Sequence, residues 1–128
     1  MKLPELAREL ADGVNFATVA TVQPDGGPQA TTVWVKRDGD DLLFSTIRGR
    51  RKTANLEADP RISVLITDAA SPYRYAEIRG RVEITGDPAA ALIDELAYKY
   101  TGQAFDAPPG QARVVVRVRA THVVAYTE

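Results

Sequence analysis

The sequence predicts a mainly β domain, with about six antiparallel strands in a closed or nearly closed barrel and two or three helices packed outside it. Three observations lead there. Short runs rich in β-branched residues, among them VNFATVATV, RISVLIT and RVVVRVR, are separated by clusters of turn residues. One long segment, YRYAEIRGRVEIT, alternates from end to end. Few stretches keep a helical period. So many strands in one short chain would expose sheet edges, and closure removes them.

In chain order, Leu3, Leu6, Ala7 and Leu10 recur at helical spacing, Pro4 is tolerated in the first turn, and Asp12-Gly13 ends the helix. VNFATVATV (14–22) is apolar at both alternating sets of positions, which predicts a strand buried on both sides. QPDGGP turns the chain into QATTVWV (29–35), and RDGDD turns it into LLFST (42–46), giving an antiparallel meander. Arg50 to Ala58 has no helix breaker, carries Ala54, Leu56 and Ala58, and stops before Pro60, which predicts a short helix.

RISVLIT (61–67) is the fourth strand and YRYAEIRGRVEIT (73–85) the fifth. In the fifth, Ala76, Ile78, Gly80, Val82 and Ile84 share one face, and Tyr75, Glu77, Arg79, Arg81 and Glu83 share the other. Asp87-Pro88 reads as an N-cap and first helical residue. That helix runs to about Tyr100 with Leu92, Ile93, Leu96 and Tyr100 on one stripe. RVVVRVR (113–119) is the last strong strand, with Val114, Val116 and Val118 inward and Arg113, Val115, Arg117 and Arg119 outward. THVVAY offers a continuation of the sheet.

Composition narrows the function. A chain of 128 residues holds one domain with a real core. A net charge of −1 supplies no global field for nucleic acid or an anionic membrane. With no cysteine there is no disulfide, thiol nucleophile or thiolate metal site, and a single histidine, His122, cannot build a histidine-rich metal centre. No metal site is therefore expected. No nucleophile elbow, Walker loop, dinucleotide fingerprint or zinc-protease motif occurs, so no catalytic residue is assigned. The start, MKLPELARELADG, lacks the unbroken apolar stretch of a secretory signal, and a cytoplasmic location is expected.

One segment carries chemistry. Arg48, Arg50, Arg51 and Lys52 crowd the start of the short helix, just after Ser45 and Thr46. A helix N-terminus already presents free N–H groups and partial positive charge, so cations there oppose the dipole. An arriving anion satisfies both, and backbone, hydroxyl and guanidinium donors together make a phosphate site. A solvated basic surface accounts for the same pattern.

The stretch FSTIRGRRKTANLEADPRISVLI, with Ser45, Thr46, Arg51, Lys52 and Asp59-Pro60 at the marking positions, resembles the phosphate-binding segment of the pyridoxamine 5′-phosphate oxidase-like split-barrel superfamily. ATVATVQPDGGPQATTVWV resembles that superfamily's first hairpin, and YAEIRGRVEIT its long central strand. The likeness covers nearly the whole chain. It implies a six-stranded antiparallel split β-barrel that forms a homodimer, with two cofactor sites at the dimer interface. It also implies that the cofactor ring lies against Ala30, Thr31, Thr32, Val33 and Trp34. The outward face of Tyr75, Glu77, Arg79 and Arg81 suits either a partner subunit or solvent.

The oxidases that give the superfamily its name use FMN and carry an Arg-bearing C-terminal substrate motif. This sequence ends AYTE, which argues against oxidation of pyridoxamine phosphate. The compact form is more similar to an actinobacterial branch that binds the deazaflavin coenzyme F420, a cofactor with a long anionic tail that Arg48 or Arg50 would suit. FMN is the second choice and haem-handling barrels the third. The resemblance gives Arg51 and Lys52 the phosphate, Ser45 and Thr46 hydroxyl contacts, and the backbone from Ala30 to Val33 the ring edge. Trp34 and Tyr75 either shape the open face of the ring or pack as core and interface aromatics. The implied reaction is hydride transfer to an electron-poor small molecule. A non-catalytic flavin or F420 carrier or sensor is the alternative.

Overall fold

The computed structural model describes residues 1–128. In order, the elements are α1 (Glu5–Asp12), β1 (Ala17–Val22), β2 (Pro28–Val33), β3 (Lys36–Asp38), β4 (Asp41–Ile47), α2 (Arg51–Ala58), β5 (Arg61–Asp68), β6 (Ser71–Gly86), α3 (Ala91–Thr101) and β7 (Arg113–Thr127). The strands form one antiparallel sheet in the order β2-β1-β5-β6-β7-β4-β3. Two expectations change. There are seven strands rather than six, because Lys36–Asp38 pairs with Asp41–Leu43 across the turn at Gly39-Asp40. The sheet is also not closed: β2 and β3 remain its edges.

The core draws on both halves of the sheet and on α1. Leu3, Ala7, Leu10 and Ala11 pack with Val19 of β1, Phe44 of β4, Val64 and Ile66 of β5, Ile78 of β6, and Val114, Val116 and Val118 of β7. The apolar stripe that predicted α1 is thus the face that seals the sheet. Asp40 Oδ1 accepts the Leu3 N–H at 2.9 Å and ties the helix entry to the β3–β4 turn.

β1 is buried on one face only, through Ala17, Val19 and Thr21, while Thr18 is exposed. Its predicted first residues stay outside the ladder. Asn15 is held elsewhere, donating to the Leu10 carbonyl and accepting from the Ala69 N–H, both at 2.9 Å. β6 alternates as predicted, and its long pairing with β7 continues to Arg74–Thr127. The pairing slips between Arg79 and Gly80. A Cβ on Gly80 would stand 2.1 Å from the Arg119 carbonyl oxygen, so only glycine permits that close approach.

α3 starts at Ala91, later than Asp87-Pro88 suggested. Asp87 still caps it: its carboxylate accepts the N–H groups of Ala91 at 3.1 Å and Leu92 at 3.0 Å. The intervening turn places Ala90 at φ +56°, so Pro88 lies before the helix rather than in it. Leu92, Ile93 and Leu96 are buried, as the stripe predicted, whereas Tyr100 is only half-buried; Ala97, outside the stripe, is buried as well. No helix is long and apolar enough to cross a membrane.

Candidate functional site

α2 is held against the sheet by polar contacts. Only Leu56 of the three predicted apolar residues is buried; Lys52, Thr53 and Asn55 share its inner face. Thr53 Oγ1 donates to the Ile47 carbonyl at 2.8 Å, which leaves the Thr46 hydroxyl to donate to Thr53 at 3.2 Å. Asn55 Nδ2 donates to Thr21 Oγ1 at 3.0 Å. These bonds explain why an eight-residue helix of weak apolar character stays docked. They also fix the turn before it, where Gly49 at φ +97° takes a conformation other residues avoid.

That docking places cations around a cleft of about 270 Å³. Thr32, Val33 and Trp34, then Ser45, Arg50 and Lys52, and then Ile93, Leu96, Phe105 and Arg113 line it, and Trp34 packs toward Leu96 and Tyr100 of α3. No carboxylate lines it. Lys52 is 8 % exposed and donates to Thr31 Oγ1 at 3.0 Å. Burial, and then the nearby Arg50, hold its ammonium below the usual lysine pKa. No side chain caps α2, and its first turn holds no acidic residue.

The structure thus gathers six of the expected residues, Thr32, Val33, Trp34, Ser45, Arg50 and Lys52, with Thr31 bonded to Lys52 from behind. Others lie elsewhere. Ala30 is exposed on the β2 edge, and Arg51 is exposed outside the cleft lining. Thr46 is fully buried in the contact that docks α2. Arg48 pairs with Glu57 at 3.0 Å and lines a separate groove with Leu56, Pro60, Val82 and Ile84. Tyr75 stacks on Tyr126, with ring centroids 5.4 Å apart, on the distal β6–β7 ribbon.

Trp34 and Val35 leave β2 before β3 begins, against the expected strand to residue 35. α3 holds them there. Tyr100 stacks on Trp34 with centroids 5.5 Å apart, its Oη accepts the Val35 N–H at 3.1 Å, and it donates to the Asn15 carbonyl at 2.6 Å. Lys99 Nζ donates to the carbonyls of Ala11 at 2.6 Å and Val35 at 2.7 Å. The aromatic wall of the cleft is therefore locked by a helix end.

The residue that sequence reasoning missed is Arg113. Alternation along β7 points it outward, yet it is 7 % exposed and lines the cleft. It sits where the strand emerges from the 102–112 loop, and the Phe105 ring covers it, 5.0 Å from the guanidinium carbon. Its Nη2 donates to Gln111 Oε1 at 3.1 Å and its Nη1 to Ser45 Oγ at 3.4 Å, while Nε has no partner. Burial, and then Arg50, push its pKa below the ordinary value. Three cations without a counter-ion line one small cleft, and two are buried. Buried charge is costly unless paired, so the site is built for an anionic group beside an apolar, aromatic wall.

The family model described as pyridoxamine 5′-phosphate oxidase matches residues 3–126. The fold superposes on a solved F420 reductase with a TM-score of 0.86 and 35 % identity, covering 95 % of this chain and 98 % of that one. A conserved hypothetical protein of Mycobacterium tuberculosis superposes with a TM-score of 0.75 and 28 % identity, covering 97 % and 84 % of the two chains. A pyridoxine/pyridoxamine 5′-phosphate oxidase of Rubrobacter xylanophilus is 34 % identical over 73 residues, 56 % of this chain. The matched segment spans only 30 % of that oxidase.

Proposed function

Because this chain belongs to the pyridoxamine 5′-phosphate oxidase-like split-barrel superfamily, we propose that it is an oxidoreductase whose cleft binds coenzyme F420. One observation carries the reading: Arg50, Lys52 and Arg113 line the cleft with no carboxylate among them, beside Trp34. Lys52 and Arg50 hold the cofactor phosphate, Ser45 adds a hydroxyl donor, and Thr31 steadies the Lys52 ammonium. The unpaired edge of β2, from Ala30 to Val33, offers backbone groups to the ring, and Trp34 walls its face. Bound F420 supplies hydride chemistry toward an electron-poor double bond or quinone. The protein binds and orients the cofactor.

F420 is preferred to FMN because the F420 reductase aligns over almost its full length, whereas the curated oxidase aligns over less than a third of its own. We further propose a homodimer with the cofactor at its interface. Leu65, Tyr73, Val124 and Tyr126 leave apolar surface on the β5–β6–β7 face for a second copy.

Trp34 is the only tryptophan and lines the cleft, so its fluorescence reports occupancy directly. Titration with F420 and, separately, FMN is expected to quench it at lower concentration with F420. Preference for FMN moves the protein to the flavin side of the superfamily, and quenching by neither overturns the cofactor reading. Turnover of a quinone and enone panel with reduced F420 then separates an enzyme from a carrier.

A further inference from the structure

The cleft is not uniform, and its two buried cations differ in their direct contacts. On the β2 side Lys52 reaches Thr31, next to Thr32, Val33 and Trp34. The other buried cation is Arg113, which lies against the Phe105 ring, in the cleft that Ile93 and Leu96 of α3 also line. Arg113 is buried, its Nε is unpartnered, and its contact with Ser45 is long at 3.4 Å. A buried guanidinium with an unpartnered Nε–H suits a carboxylate acceptor. Asp87, whose charge favours the protonated Arg113, does not fill it, because its carboxylate is engaged by the Ala91 and Leu92 N–H groups.

We propose that Arg113 and the Phe105 ring form a second anionic subsite in the cleft, which takes the carboxylate of a flat, conjugated acid. Resting on the reading that the Lys52 side takes the cofactor phosphate, this ligand is the acceptor. The neighbouring wall decides between carboxylate sources. A polar tail of carboxylates on the cofactor gains nothing from Phe105, Ile93 and Leu96. A conjugated acid gains there by burying its apolar body while Arg113 takes its head. The loop supports this arrangement. Asp94 Oδ1 accepts the Phe105 N–H at 3.0 Å, which ties the ring to α3 and keeps it over the guanidinium.

The test titrates cofactor-free protein with trans-cinnamate and with its neutral amide, following Trp34 fluorescence. Cinnamate is expected to bind about tenfold or more tightly than the amide, from one charged contact. Arg113→Gln erases that preference, and Arg113→Lys restores part of it. Phe105→Ala, on an exposed loop, weakens both ligands and leaves their ratio unchanged. Lys52→Met weakens F420 and leaves the cinnamate preference intact. Equal binding of acid and amide by the wild type overturns the subsite. So does an Arg113→Gln protein that loses F420 affinity as fully as Lys52→Met while keeping its preference for cinnamate. If neither F420 nor FMN binds but the preference for the acid survives, the subsite stands and the oxidoreductase reading falls.

Discussion

Arg113 and Arg117 stand on the same strand, yet their charges are met in opposite ways. Arg117 bonds to Asp38 at 2.9 Å and to Asp41 at 3.0 Å, and Arg119 beyond it to Glu83 at 2.9 Å. Arg113 meets no carboxylate at all within ion-pair distance and keeps a buried, unpartnered Nε. The same division runs through the segment leading into α2. Arg48 pairs with Glu57, whereas Arg50 and Lys52 have no acidic partner. Where the fold supplies a carboxylate, the cation is internal to the structure. Where it supplies none and buries the cation, as at Lys52 and Arg113, the proposed partner is external.

The largest break in that division comes from removing the unpaired cations. Arg50→Ala with Lys52→Ala deletes two charged contacts to the cofactor phosphate and is expected to cost about 3 kcal/mol of binding, roughly a hundredfold. Titration followed by Trp34 quenching measures it. Unchanged affinity would remove both residues from the site and leave the basic cluster as surface charge.

Supplying the missing carboxylate sharpens the contrast from the other side. Ser45→Asp places an acid beside Arg113, which already lies 3.4 Å from the Ser45 hydroxyl. The unliganded protein should gain about 1 kcal/mol, since a buried cation acquires a partner. Phosphate-bearing ligands should then bind about tenfold or more weakly. Thermal melts of the unliganded protein and cofactor titrations read the two effects, which should have opposite signs. If stability and affinity fall together, the substitution has merely damaged the cleft.

How much of this was legible in the sequence follows the same line. The element order, the inward face of β6 and the docking stripes of α1 and α3 all follow from periodicity, because one face of each meets a single core. Ser45, Arg50 and Lys52 stand out in the sequence because cations and hydroxyls crowd a helix start, and the fold brings the three to one cleft. Arg113 does not stand out, because strand alternation assumes a face that is either core or solvent. At the mouth of β7 a loop residue, Phe105, covers the outward position, and no local pattern encodes that contact. The seventh strand escapes the pattern for a related reason. β3 is only three residues long, and its Arg37 and Asp38 fall in the RDGDD turn. The inner face of α2 was misjudged because Thr21, Thr46 and the Ile47 carbonyl make it polar.

A smaller effect concerns pH. Burial lowers the Lys52 pKa in the folded protein, so between that lowered value and the unfolded value the unfolded chain binds more protons. Stability of the unliganded protein therefore rises as pH climbs through that window. Anion binding needs the ammonium and falls over the same window. Lys52→Met should flatten both limbs. Parallel pH scans of thermal stability and of F420 affinity, wild type against variant, check the opposite signs. Two limbs that move together would show that another group titrates.

The smallest effect belongs to the paired cations, and it is the control that gives the others meaning. Arg48 and Glu57 are both nearly half exposed, and Arg117 is about one-third exposed. Ion pairs at such exposure contribute about 0.2–1 kcal/mol, because water screens the attraction and ordering two long side chains costs entropy. Arg48→Ala and Arg117→Ala should therefore lower stability by no more than that and leave cofactor affinity unchanged. Chemical denaturation measures the first quantity and Trp34 quenching the second. A drop in affinity for Arg48→Ala, equal to that for Arg50→Ala, would dissolve the boundary between paired and unpaired cations. The ligand would then have to extend past Gly49 toward Glu57, which is the direction a long anionic tail would take.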